Sequence, residues 1–211
     1  QTLASGGVEA VIRDRMEVML ANGVEAYALF LKDRGGLPLF QPFTDRVRIC
    51  PERQDALKYV ADLQPDWVIH FDTPDLVSEI AAAFPKTQQI YEVHTTLPHG
   101  LKQLQRSDSL SHVRSVIVPS QSQLTLVRSI IGNIRPLFVV PNGLPEIFFS
   151  ADTIEKKPTA PVVIWIGRLE AHKNWQAFIK IAAQAARVHP EVQYWLIGGR
   201  HAIPEQHHML W

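Results

Sequence analysis

The stretch "PVVIWIGRLEAHKNWQAFIKIAAQAARVHPEVQYWLIGG", residues 161–199, decides how the whole chain is read. It opens with a continuous apolar run, "PVVIWI", of the length and β-branched content of a buried strand. "WQAFIKIAAQAARV" then places Trp175, Phe178, Ile179, Ala182 and Ala185 along one helical face. A second apolar run, "VQYWLIGG", closes the unit. Two strands joined through a helix run parallel in one sheet, which makes this segment a strand–helix–strand unit. On this reading Trp175, Tyr194 and Trp195 are core residues.

Moving toward the N-terminus, residues 145–160, "PEIFFSADTIEKKPTA", break the alternation with polar, Pro-containing sequence and read as a linker. Before it the same alternation repeats. "GGVEAVIRDRMEVMLANG" sets Val8, Ile12, Met16 and Met19 on one helix face, with Gly23 as a stop signal. "VEAYALFL", "VRIC", "DWVIHF", "TQQIYEVH", "RSVIVP" and "RPLFVVP" read as strands. The expected helices between them include one with Pro51 at its first position and Leu57, Val60 and Ala61 inward, and one opened by Thr73 and Pro74. A further helix has Ser120 and Gln123 at capping-box spacing and Leu124, Val127 and Ile131 on one face. "KDRGGLPLFQPFTDR" reads as a loop. The fold class is therefore α/β, with parallel sheets flanked by helices.

Composition sets outer limits. The chain has 211 residues, 46% hydrophobic and 20% charged, and its 21 basic and 21 acidic side chains cancel. A zero balance argues against a nucleic-acid binder, which needs a concentrated excess of Lys and Arg. The lone Cys50 excludes an internal disulfide framework and a thiolate zinc cluster. No window has the apolar length of a membrane span and no signal peptide opens the chain, so a cytoplasmic protein is expected, with peripheral contact at a membrane surface left open. The abrupt start "QTLASGGVEA", without Met, leads us to expect a fragment.

In open α/β sheets ligands gather at the carboxyl ends of the strands, and the informative residues fall there. Gly167, Arg168 and Lys173 lie between a strand end and a helix start, where backbone N–H groups and a positive helix end meet. Arg168 can fork onto an oxyanion and Lys173 adds a mobile charge, a pair suited to a diphosphate. The alternative is a solvated surface pair, with Arg168 bonded to Glu170, and the spacing leaves both open. Gly6 and Gly7 allow close backbone approach at a helix start, although these residues by themselves favour a flexible turn into a capped helix. His94 ends a strand, and His99 follows it. His94 has the chemistry to hydrogen-bond or carry a proton at a reacting sugar, and a loop histidine bonded to its own chain is the alternative. Asn142 and Gly143 read as a turn. His201, His207 and His208 lack carboxylate partners and read as solvated rather than as a metal site.

Taken in order, "GGVE", "VH", "VIVPSQSQ", "VVPNGL", "VVIWIGRLEAHKNWQAFIKIA" and "YWLIGG" resemble the retaining family 4 glycosyltransferases of the GT-B fold. The resemblance covers nearly the whole chain and is most specific over residues 162–199. It implies a Rossmann-like, acceptor-side domain over residues 1–145, a linker over 146–160, and over 161–211 the first βαβ unit of a nucleotide-sugar-binding domain. It implies transfer of a sugar from UDP-, GDP- or ADP-sugar to an acceptor hydroxyl with retained configuration. By this resemblance Arg168 and Lys173 hold the donor diphosphate in place of a metal, and Gly6 and Gly7 approach its phosphates. His94 faces the transferred sugar as the catalytic residue, while Ser120, Asn142, Gly143 and Gly167 shape the cleft. No cofactor or metal is expected, and the acceptor is a saccharide, a lipid-linked molecule or a protein. Two departures are expected: no strand ahead of the glycine pair, and no glutamate pair seven residues apart for the donor. A fragment so cut is expected to show little transfer alone. A nucleotide-sugar epimerase of the same fold and a noncatalytic binding or scaffold remnant are the alternatives.

Overall fold

The structure, a computed structural model, describes residues 2–3, 6–96, 98–106, 108–144, 149 and 159–199. The chain divides into two compact units, Gln1–Leu144 and Pro145–Trp211.

In the first unit every described strand pairing is parallel, as expected for strands joined through helices. β1 (Thr2–Leu3) pairs with β3 (Lys32–Asp33), and β2 (Ala28–Phe30) with β4 (Val47–Ile49). A four-stranded sheet follows in the order β5 (Trp67–Phe71), β6 (Gln88–Glu92), β7 (Ser115–Val118) and β8 (Leu137–Val139). β1 precedes the glycine pair, where the sequence reading expects no strand. It is only two residues long, yet Leu3 is fully buried, so the residue that matters most for packing is present.

Helix α1 (Gly7–Ala21) buries Val11, Ile12 and Met16, with Val8 and Met19 partly covered on the same side. It faces β1, β2 and a 3-10 segment, Leu37–Arg46, whose Phe40 is fully buried and packs edge-on against Phe30 at 5.5 Å. The glycines and prolines of residues 32–46 suggested a plain loop. The segment instead supplies core, because Pro38 and Pro42 suit short 3-10 turns and the leucines and phenylalanines between them turn inward.

α2 (Arg53–Leu63) begins two residues after Pro51 and buries Ala56 and Val60, while Ala61 is only half-buried. α3 (Val77–Ala83) also starts late. Thr73 does not cap it; its hydroxyl donates back to the Phe71 carbonyl at 3.0 Å. α2 and α3 enclose a small core with Cys50, whose thiol burial pushes upward. α4 (Pro98–Arg106), α5 (Ser109–His112) and α6 (Gln121–Ile131) cover the other part of the sheet around Tyr91, Val93, Val116 and Val118.

The second unit contains β9 (Val162–Ile166) and β10 (Gln193–Ile197), paired in parallel over five residues, with α7 (Trp175–Ala185) between them. This is the strand–helix–strand arrangement the periodicity predicts. Trp175, Phe178, Ala182 and Ala185 form its better-covered stripe, but Ile179, expected on it, is 48% exposed and none of the helix is fully buried. The expectation of core aromatics fails here. Trp195 is 43% exposed, and Trp175 and Tyr194 are half-covered, because one helix over two strands cannot enclose them.

Candidate functional site

The sheet order places the carboxyl ends of β5 and β6 side by side, and a polar cluster is built there from three elements. Side chains alternate along a strand, so Tyr91 and Val93 enter the apolar core while Glu92 and His94 share the opposite face. That face meets α1. Arg15 reaches across 77 positions of sequence and forks onto Glu92, with Nη2 donating to Oε1 at 2.8 Å and Nη1 donating to Oε2. His94 Nε2 lies 2.8 Å from Glu92 Oε1. Phe71 completes the wall, with its ring 5.9 Å from that of His94 and under the Arg15 guanidinium.

Glu92 is fully buried, and burial alone pushes its carboxyl up. The hydrogen bonds from His94 and Arg15, with the charges behind them, outweigh burial and hold it below the ordinary glutamate range. A buried carboxylate with a forked arginine is the arrangement in which an ion pair can offset its desolvation cost.

The backbone carrying His94 is fixed as firmly as its ring. Asp72, just beyond β5, has a left-handed conformation at φ 49° that aspartate tolerates better than most residues. Its Oδ1 accepts from the backbone N–H groups of His94 at 2.8 Å and Thr95 at 3.1 Å, and its own N–H donates to the Glu92 carbonyl. Burial pushes the Asp72 carboxyl upward, against those two backbone donors. From the other side Gln123 donates through Nε2 to the carbonyls of Val93 and Thr95, at 2.9 and 3.1 Å.

Ser120 caps α6, its Oγ accepting from the Gln123 backbone N–H at 3.2 Å. Only half of the expected capping box forms, because the Gln123 side chain is drawn to the His94 loop instead. Ser120 thus acts on the site through α6. His94, Ser120 and, through α1, Gly6 and Gly7 belong to one connected arrangement within the first unit.

Gly6 is the extended N-cap of α1, and a Cβ there would come within 2.5 Å of the Glu9 carboxylate. The buried Glu9 carboxylate folds back over the helix start, so a side chain at Gly6 would oblige that flexible group to shift. A Cβ on Gly7 would meet nothing within 4 Å. Asn142 and Gly143 are exposed and follow the bond from the Val140 N–H to the Val118 carbonyl, and no turn forms at them. The His99 side chain and His201, His207 and His208 lie outside the described residues, as does most of the expected linker.

In the second unit, Gly167 and Leu169 donate to the carbonyls of Ile197 and Gly199, so the loop after β9 continues the ladder with the end of β10. Gly198 makes this possible. At φ 154° it packs on the Gly167 carbonyl so closely that any Cβ would overlap the oxygen. Arg168 Nη1 lies 3.1 Å from Glu170 Oε1, the internal pairing that was one of the two readings of this residue. Lys173 ends a 3-10 turn, Ala171–Lys173, and is exposed, and Asn174 then turns left-handed into α7.

Sequence reasoning missed Arg15, Asp72, Glu92 and Gln123. The period of two in "YEVH" was a usable signal for Glu92; nothing local marks the other three. Among the described residues no group of three or more His, Cys, Asp and Glu side chains is placed to hold a metal, and no helix is long and apolar enough to cross a membrane. Among known proteins, no family model matches the chain and no curated protein does.

Proposed function

We propose that the chain belongs to a retaining glycosyltransferase of GT-B type, moving a sugar from a nucleoside-diphosphate sugar to an acceptor hydroxyl. The observation that carries this reading is His94. Its imidazole stands at the carboxyl edge of a parallel α/β sheet, held by a buried carboxylate that an arginine clamps. The order of motifs from "GGVE" to "YWLIGG" supports it independently.

In this reading Arg168 and Lys173 bind the donor diphosphate and stabilise the charge that grows on it as the glycosidic bond breaks. Glu170 does not prevent this. A pair as exposed as Arg168–Glu170 is worth about 1 kcal/mol at most, less than a charge-assisted fork onto a diphosphate. No metal or other cofactor is called for, since the two cations supply the charge. The acceptor is a saccharide, a lipid-linked molecule or a protein, met in the cytoplasm or at a membrane surface.

The test is thermal unfolding with UDP, GDP and ADP, because a ligand that binds only the folded chain must raise Tm. One of the three should raise it, and Arg168→Ala should abolish the shift. Absence of a shift with all three at millimolar concentration sinks the proposal. A noncatalytic remnant of the fold is the second reading, favoured by the Arg168–Glu170 pair. It predicts that Arg168→Ala changes nothing.

A further inference from the structure

The contacts around His94 constrain its protonation as well as its position. Glu92 is buried and forked by Arg15 through both oxygens, and such a carboxylate is ionised. An ionised carboxylate only accepts hydrogen bonds, so the ring nitrogen 2.8 Å away must donate. In a neutral imidazole the proton on Nε2 leaves Nδ1 with the lone pair. The ring is held by the Glu92 bond and by Phe71, and the backbone that carries it is fixed from both sides. Phe71 lines one flank, Asp72 holds the backbone N–H of His94, and Gln123 holds the carbonyls on either side of it.

We infer that Glu92, clamped by Arg15, is a positioning residue that locks His94 as the Nε2–H tautomer and reserves Nδ1 as the nitrogen that accepts from a bound hydroxyl. The group His94 recognises is then a hydrogen-bond donor, and an anionic phosphate oxygen is disfavoured there. This consequence for a sugar substrate rests on the transferase reading; the tautomer itself does not. Arg15 takes part by keeping Glu92 charged. Without it the Glu92 carboxyl would lose two hydrogen bonds and a facing charge that oppose the upward push of burial.

The experiment is long-range 1H–15N correlation on the full chain labelled with 15N-histidine, at neutral pH and without ligand. The His94 signals are assigned by their loss in His94→Gln. A charge-assisted hydrogen bond favours Nε2–H by about tenfold or more over its ratio in a histidine peptide. In Glu92→Gln that preference should collapse by a similar factor, because an amide can both donate and accept. A wild-type ratio equal to that of the peptide overturns the inference, as does an unchanged ratio in Glu92→Gln. Should that variant not fold, the wild-type ratio decides alone. Nucleotide-dependent Tm shifts test the transferase reading separately, so a locked tautomer without any nucleotide binding would leave this inference standing and remove the other.

Discussion

His70 lies on β5, immediately before the Phe71 and Asp72 of the candidate site, and its burial makes folding sensitive to acid. Its Nε2 lies 2.7 Å from Gln89 Oε1, and the Gln89 amide donates onward to the Val77 carbonyl, so a buried polar chain runs from β5 to α3. Burial lowers the His70 pKa from 6.5 to about 4, only partly opposed by the Gln89 bond. The unfolded chain then binds more protons than the folded one between those two values. Stability is complete above pH 6.5 and erodes as pH falls toward 4, by roughly 3 kcal/mol for a shift of this size. His70→Gln should flatten that slope in urea midpoints measured from pH 7 to pH 4, and parallel slopes for the two proteins would refute the assignment. Asp72, raised by burial, acts with the opposite sign in both proteins and cancels in the difference. Asp72 supports a second prediction. Asp72→Ala loses two backbone acceptor bonds and a residue suited to φ 49°, a cost of about 2 kcal/mol. Asp72→Asn keeps an acceptor oxygen and tolerates the same backbone, so it should recover most of that loss in denaturant titration. Equal losses in the two variants would show that the backbone bonds do not matter.

Elements were read well wherever one local period ruled them. α1 and α6 follow their apolar stripes, and "VRSII" ends at Gly132, whose φ of 68° favours glycine. Reading failed where tertiary partners override local signals. In residues 32–46 proline and glycine announced a loop, but Phe40 is buried by α1 and β2, which the local sequence does not reveal. The site shows the same division. His94 was legible as a strand end, whereas Arg15 acquires its role only when α1 packs over β6. Gln123 was read as the second half of a capping box and serves the His94 loop instead. That difference can be measured. Ser120→Ala removes one cap bond, worth about 1 kcal/mol. Gln123→Ala removes two buried bonds, to the Val93 and Thr95 carbonyls, and should cost about 2 kcal/mol. If Gln123→Ala proves the milder of the two by chemical denaturation, Gln123 does not hold the loop.

At the scale of the molecule the two units differ in what they bury. The first contains three apolar clusters, with Phe30, Phe40, Val77, Val93, Val116 and Val127 almost wholly removed from water. In the second, no described residue is buried. Ile166, Ile181 and Val188 are 73%, 62% and 72% exposed. The second unit's described residues 159–199, one helix on two strands, expose too much surface for hydrophobic burial to offset their chain entropy. Backbone pairing of β9 with β10 and the close Gly167–Gly198 contact give the unit its shape, but hydrogen bonds alone add little net stability. Residues 1–144 expressed alone should therefore unfold cooperatively in urea, with a sigmoidal loss of far-UV circular dichroism. A peptide of residues 159–199 should show no such transition. Apolar side chains left in water on both strands and on the helix make self-association its expected fate, visible as concentration-dependent light scattering. A monomeric, cooperatively melting 159–199 peptide would contradict this account, since its stability would have to come from something other than burial.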